Sequence, residues 1–136
     1  MNDFTQLNKV FVYGTLKTGG PLRGLDKMSN QSVLLGKAHT EFPDYDMIDL
    51  GSFPGVVSGT KFIQGEVWEV DEDTFHTLDH IEGFPHFYDR KIVHTTEGKA
   101  WMYYLTDSFK MNNVKDSSVS ERIDNQNETL IWSNMQ

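Results

Sequence analysis

Residues 64–70, together with the helix signal that follows them, constrain the fold more than any other part of the chain. They alternate, with Val67 and Glu69 on one face and Trp68 and Val70 on the other, which is the pattern of a half-buried strand. Three acids at 71–73 then supply a helix cap and negative charge at the positive end of a helix predicted over 74–81.

The other elements are predicted from turn residues and β-branched or aromatic runs. Strands are expected at 9–13, 88–95 and 99–105, the last two as a hairpin around Glu97-Gly98. Residues 22–36 have a loose helical spacing through Leu25, Met28 and Val33. Residues 41–59 are rich in glycine and proline, which predicts short strands and irregular connections. Gly83 is a helix stop signal.

A chain of 136 residues fits one domain. Its 9 Phe, 5 Tyr and 3 Trp suit strands and an aromatic-lined pocket. From residue 106 the composition becomes polar, with Leu130, Ile131 and Trp132 as the exception. We therefore predict a domain over 1–105 and a polar tail over 106–136 that docks through Trp132.

Composition and charge also limit the classes of function that the chain can have. The sequence has no cysteine, which excludes disulfides and a cysteine nucleophile and favours a cytoplasmic location. Its net charge of -8 disfavours nucleic acid and anionic lipid as partners. No apolar run approaches the roughly 20 residues that span a bilayer, and residues 1–11 lack the features of a secretory signal.

The segment Tyr13-Gly14-Thr15-Leu16-Lys17 carries the first chemical signal. A strand that ends in a glycine-containing bend can turn consecutive backbone N–H groups toward one anion. The spacing of a phosphate loop is absent, so a carboxylate fits better than a triphosphate. The alternative is an ordinary strand end in a tight turn.

Glu82 carries the second signal. If Phe75 points inward, Leu78 and Glu82 share its face of the helix, whereas His76 and His80 lie near solvent. Burial and the negative end of the helix would both raise the pKa of Glu82 toward the range of a general base. Alternatively, Glu82 escapes to solvent where the helix frays. The two histidines have a zinc-like spacing but no third ligand, so exposed side chains are favoured and no metal is predicted.

Tyr88 and Arg90 are the remaining candidates, because their two-residue spacing places them on one face of a strand. A hydroxyl and a guanidinium there could hold a polar substrate. The alternative is a core tyrosine and an arginine paired with an acid. Asp79 is either such a partner of Arg90 or an acid on the helix surface.

Together these segments resemble the gamma-glutamylcyclotransferase-like family, in particular its gamma-glutamylamine cyclotransferase and AIG2-like branch. The resemblance covers about residues 9–105 and rests on five motifs in order: VYGTLK at 12–17, FPG at 53–55, GEVWEVD at 65–71, LDHIEGFP at 78–85 and YDR at 88–90. It implies an α+β fold with a small mixed β-barrel flanked by short helices. It also implies a cavity at one end of the barrel.

The resemblance further implies an activity. The backbone of residues 13–16 holds the α-carboxylate of a gamma-glutamyl substrate, and Glu82 carries a proton from the α-ammonium to the departing amine as 5-oxoproline forms. No cofactor or metal is implied. The Thr18-Gly19-Gly20-Pro21 loop and the tail depart from the pattern of the family. The resemblance therefore does not identify the amine that the reaction releases. Two alternatives remain. In the first, the protein is an inactive module that binds a ligand or another protein, with the tail as a docking segment. In the second, it catalyses another ring-closing or transfer step on a gamma-glutamylated intermediate.

Overall fold

The fold is built from short strands and one helix. In a computed structural model, the structure describes residues 8–17, 32–106 and 115–134. The elements of these residues, in chain order, are β1 (Asn8–Val12), β2 (Val33–His39), β3 (Tyr45–Asp49), β4 (Pro54–Ser58), β5 (Phe62–Val70), α1 (Glu72–Ile81), β6 (Asp89–Thr95), β7 (Gly98–Tyr104), β8 (Lys115–Asp116), β9 (Ile123–Gln126) and β10 (Thr129–Trp132).

Strand β5 organises the larger, seven-stranded sheet. Its residues pair antiparallel with β1 and β2 and parallel with β10, and the order along the sheet is β6-β7-β1-β5-β10-β9. The sheet curls until the end of β2 meets the end of β6 through a bridge between Thr40 and Thr95. Backbone hydrogen bonds flank this bridge, from Glu41 to His94 at 2.9 Å and from Thr96 to His39 at 3.0 Å. The result is the predicted mixed, barrel-like α+β fold, which is confirmed.

A second sheet of three strands, in the order β4-β3-β8, packs beside the barrel. Leu105, directly after β7, donates its backbone N–H to the carbonyl of Val56 in β4 at 2.8 Å. Gly55 lies at the same contact, where an added Cβ would collide with the Leu105 side chain. This close approach brings the start of β4 near the end of β7, and both contribute to the cavity described below.

The barrel sheet is buried on both faces, so two hydrophobic cores form. In β1, Phe11 is 1% exposed and joins the core of the curled sheet, whereas Val10 and Val12 point to the opposite side. There they pack in the core that also contains Phe75 and Leu78 of α1. Each large side chain buried in this way contributes about 1.5–3 kcal/mol.

Most of the predicted elements are observed. The strands expected at 9–13, 64–70, 88–95 and 99–105 correspond to β1, β5, β6 and β7, and the region 41–59 contains β3 and β4. Helix α1 begins at Glu72, where the Asp71 side chain accepts from the N–H of Thr74 at 2.9 Å, and Gly83 follows it with a φ of 68°.

The helix predicted over 22–36 is wrong at its end, because Val33–His39 is strand β2. Pairing with β5 extends this segment, and a bulge between Leu34 and Gly36 breaks the alternation that would have indicated a strand. Most of the predicted helix, and the glycine-rich loop at 18–21, lie outside the described residues.

The region predicted as a polar tail contributes three short strands. Strands β9 and β10 form a hairpin whose turn residues Asn127 and Glu128 have positive φ values of 54° and 66°. Strand β10 lies against β5, and Trp132 at its end is 1% exposed. Its polar composition did not predict this incorporation into the sheet. Among the described residues, no helix has the length and apolar character needed to cross a membrane.

Candidate active site

A cavity of about 270 Å³ lies where the turn after β1 meets the C-terminal end of α1. The start of β4, the residues directly before β6 and Tyr103 of β7 complete its wall. Its lining is mainly aromatic and aliphatic: Phe11, Val12, Tyr13, Gly14, Thr15, Leu16, Phe53, Pro54, Ile81, Glu82, Phe87, Tyr88 and Tyr103. Of these side chains, only that of Glu82 is a carboxylate, and none is basic.

Glu82 directly follows the last residue of α1 as its C-cap and donates its backbone N–H to the Leu78 carbonyl at 2.9 Å. The stripe predicted from Phe75 is observed, because Phe75 and Leu78 are buried and Glu82 is partly buried beside them. Burial raises the pKa of Glu82 from 4.5 to about 7. No ion pair joins Glu82 to any residue in the described ranges. Its carboxyl group can therefore exchange a proton near neutral pH.

Three tyrosines surround this carboxyl group. The hydroxyl of Tyr13 donates to the Tyr103 carbonyl at 2.7 Å, that of Tyr88 to the Pro54 carbonyl at 2.6 Å, and that of Tyr103 to Asp79 Oδ1 at 2.6 Å. Burial raises the pKa of all three, and nearby Glu82 adds to the rise. The hydroxyls are thus neutral and their protons are engaged by the protein, so their oxygen lone pairs are what a ligand would meet.

The turn after β1 forms the floor of the cavity. Lys17 N–H donates to the Gly14 carbonyl at 3.1 Å and closes the turn. The backbone N–H groups of Gly14, Thr15 and Leu16 make no hydrogen bond to the described parts of the chain. Gly14 is buried, and a Cβ there would lie 2.8 Å from the ring of Pro54, so two of the sequence motifs meet at this point. The turn can present these N–H groups to an anion.

The structure therefore brings six of the candidate residues to one cavity: Tyr13, Gly14, Thr15, Leu16, Glu82 and Tyr88. Arg90 is placed elsewhere. Its guanidinium carbon lies 4.4 to 4.6 Å from the ring centroids of Phe84, Phe75 and Trp101, and its Nε lies 3.0 Å from Asp79 Oδ1.

Arg90 thus contacts the cavity indirectly, through Asp79 and the hydroxyl of Tyr103. Tyr88 and Arg90 do lie on one side of the sheet, because Tyr88 packs in the core that contains Phe75 and the Arg90 guanidinium carbon lies 4.5 Å from the Phe75 ring centroid; of the two, Tyr88 lines the cavity and Arg90 does not. A direct substrate contact for Arg90 does not follow from this position. The alternative in which Asp79 is its partner is the one observed.

Sequence reasoning missed Tyr103 and the aromatic rim of Phe53 and Phe87, whose rings pack edge to face at 6.2 Å. The one sequence feature that could have indicated Tyr103 is the predicted strand over 99–105, in which it occupies one of the alternating positions. His76 and His80 are exposed, as expected. In the described ranges, no group of three or more His, Asp or Glu side chains is arranged to hold a metal ion.

Comparisons with known proteins identify the family and relate the fold to solved structures. Residues 10–126 match the family described as "Gamma-glutamyl cyclotransferase, AIG2-like". A relative from Vibrio cholerae, which carries a provisional gamma-glutamylcyclotransferase name, is 39% identical over 108 residues, covering 79% of this chain and 90% of its own. The solution structure of ytfP from Escherichia coli has a TM-score of 0.59 at 31% identity, covering 79% of this chain and 89% of its own. The crystal structure of an AIG2-like protein from Mus musculus has a TM-score of 0.63 at 25% identity, covering 73% and 77%.

Proposed function

Because the chain belongs to the AIG2-like gamma-glutamylcyclotransferase family, we propose that it is a metal-independent cyclotransferase that converts a gamma-glutamyl amine or peptide to 5-oxoproline and a free amine. The observation that carries the proposal is the placement of Glu82. A partly buried carboxyl group with a pKa of about 7 lies in the same cavity as a turn whose backbone N–H groups make no hydrogen bond to the described residues. This is the pairing that a gamma-glutamyl group requires.

The two ends of the cavity suit the two charges of the substrate. The N–H groups of Gly14, Thr15 and Leu16 suit the α-carboxylate. The α-ammonium needs acceptors, and the hydroxyl oxygens of Tyr13 and Tyr88 join the Glu82 carboxylate in offering them. The absence of a basic side chain from the described lining also favours a cationic group beside Glu82.

Glu82 acts as the proton carrier in this proposal. It accepts a proton from the α-ammonium, and the resulting amine attacks the γ-carbonyl of the same molecule. A bond forms between the α-nitrogen and the γ-carbon, the γ-amide C–N bond breaks, and Glu82 returns its proton to the departing nitrogen. Of the three protons on the ammonium, one stays on the ring nitrogen and two leave with the amine.

This reaction suits a small site because nucleophile and electrophile belong to one molecule. The protein folds the substrate so that the two ends meet, and intramolecular reactions of this kind reach effective molarities of about 10⁵–10⁸ M. General acid–base catalysis by a positioned carboxyl group adds about 10²–10⁴-fold. The reaction proposed here therefore draws on groups that the cavity contains. We further propose that the protein acts in the cytoplasm.

The test is a mass-spectrometric screen of gamma-glutamyl compounds, including gamma-glutamyl-lysine isopeptide, for release of 5-oxoproline. With the best substrate, Glu82→Gln is expected to lower kcat by at least about 10²-fold. Glu72→Gln is the matched control, because Glu72 is an exposed acid in the first turn of the same helix.

Unchanged turnover in Glu82→Gln would contradict the proposed role of this residue. A wild-type protein that binds 5-oxoproline in calorimetry but releases none from any compound would instead be a ligand-binding module on the same fold. The screen also identifies the amine that the enzyme releases.

A further inference from the structure

The last residue of β10 and the segment that follows it contact both ends of the turn that floors the cavity. Asn134 Nδ2 donates to the Gly14 carbonyl at 3.1 Å. Lys17 Nζ donates to the Trp132 carbonyl at 2.8 Å. Since Gly14 and Lys17 are also joined by the hydrogen bond that closes the turn, the whole turn is anchored to the C-terminal hairpin.

The amide of Asn134 is held at both of its ends. Its Oδ1 accepts from Trp132 Nε1 at 3.0 Å, while its Nδ2 donates to Gly14. The indole can only donate and the carbonyl can only accept, so the two partners fix which way the amide faces. Trp132 is itself fixed, because it is 1% exposed and the guanidinium carbon of Arg122 lies 4.5 Å from the centroid of its ring.

This anchor determines the direction of one backbone N–H group. The peptide bond between Gly14 and Thr15 is planar, so its C=O and N–H groups point in opposite directions. The carbonyl accepts from Asn134 and from the N–H of Lys17, and the N–H of Thr15 is therefore turned away from Asn134. Thr15 lines the cavity, and its N–H makes no hydrogen bond to the described residues.

We propose that Asn134 is a positioning residue: by holding the Gly14 carbonyl, it directs the Thr15 N–H toward the carboxylate of the gamma-glutamyl substrate. The inference rests on the proposed function and extends it to the C-terminal segment. Trp132 and Asn134 lie beyond residues 10–126, the part of the chain that matches the family. The anchor is therefore a feature outside the matched region of the chain.

The experiment compares Asn134→Ala and Asn134→Asp with wild type. The first removes both contacts, whereas the second keeps the acceptor for Trp132 Nε1 and removes the donor to Gly14. Asn125→Ala is the matched control, because Asn125 Oδ1 accepts from the Glu128 N–H at 3.0 Å in the turn of the same hairpin and does not touch Gly14.

Both Asn134 variants are expected to raise KM by about fivefold or more, with kcat within about twofold of wild type. A carboxylate is bound equally in the ground state and the transition state, so losing this contact changes KM alone. The affinity for 5-oxoproline, measured by calorimetry, should fall by the same factor. In the ligand-free protein, the amide resonance of Thr15 is expected to shift in Asn134→Ala and to stay in place in Asn125→Ala.

Several outcomes overturn the inference: wild-type KM and 5-oxoproline affinity in both Asn134 variants, an equal KM increase in Asn125→Ala, or no binding of 5-oxoproline by wild type. If Asn134→Ala does not fold, Asn134→Asp alone decides between these results. A wild-type protein that binds 5-oxoproline but forms none, while the Asn134 variants bind it about fivefold more weakly, refutes the proposed function and supports the inference.

Discussion

Replacing Glu82 with glutamine should stabilise the folded protein at alkaline pH, in addition to its effect on turnover. The pKa of the carboxyl group is about 7 in the folded chain and 4.5 as its ordinary value. Below pH 4.5 it is protonated in both states and the substitution has little effect. Between pH 4.5 and about 7 the unfolded chain ionises this group while the folded chain keeps it protonated, so the stability of the wild type falls over this range and levels off above it.

The magnitude follows from the size of the pKa change. At 1.36 kcal/mol for each pH unit, ionising this group costs the folded protein up to about 3 kcal/mol by pH 8. Glutamine has nearly the same shape and does not ionise. The free energy of unfolding of Glu82→Gln should therefore exceed that of wild type by up to about 3 kcal/mol at pH 8 and converge with it near pH 4.5.

Urea unfolding followed by tryptophan fluorescence at about pH 5, 6, 7 and 8 measures this difference directly. All other titrating groups are shared by the two proteins and cancel in the comparison. Glu72→Gln should show no gain that grows with pH, because Glu72 is exposed and favourably placed at the helix start. A Glu82→Gln protein that is less stable than wild type at pH 8, or whose advantage is independent of pH, would refute the assignment of burial as the cause.

Three further predictions concern the pH dependence of turnover, the Arg90–Asp79 pair and the contact between β1 and β5. The value of kcat/KM should fall about tenfold for each pH unit below about 7, because the ionised form of Glu82 accepts the proton; a profile without this acid limb contradicts the proposal. Arg90→Met should lower the free energy of unfolding by about 2–4 kcal/mol in urea titrations, because it leaves the partly buried Asp79 without its cation; a neutral effect means that the aromatic rings alone hold this position. Gly65→Ala should destabilise the protein by about 3 kcal/mol or more in the same assay, because the added Cβ collides with the carbonyl of Val12; wild-type stability would show that β1 and β5 can separate locally.

Local signals in the sequence predicted the framework of the site. The alternation at 64–70 and the acid at 71 are short-range features, and they located β5 and the start of α1 within two residues. Helical geometry then placed Glu82 on the buried side, and the glycine at 14 indicated the bend. Such features depend only on residues that are neighbours in the sequence, so they can be interpreted without knowledge of the rest of the chain.

Features that depend on distant partners could not be predicted in this way. Residues 123–126 expose every side chain except Ile123, so no alternation marks β9, and pairing with β10 alone makes it a strand. Val33–His39 is mostly exposed and interrupted by a bulge, and its extended form comes from β5. The contribution of Tyr103 to the cavity, and that of Asn134 to its floor, likewise arise only when residues about 90 and 120 positions apart meet.

The hydrogen bond between Asn134 and Gly14 joins residues that are 120 positions apart. Translation produces the N-terminal residues of a chain first, and the segment around 14 is therefore made long before its partner exists. Strand β10 can add to β5 only once residue 132 has left the ribosome, and the contact from Asn134 comes later still. The floor of the cavity is thus completed only after residue 134 has been made, and a nascent chain that is still shorter holds no finished site.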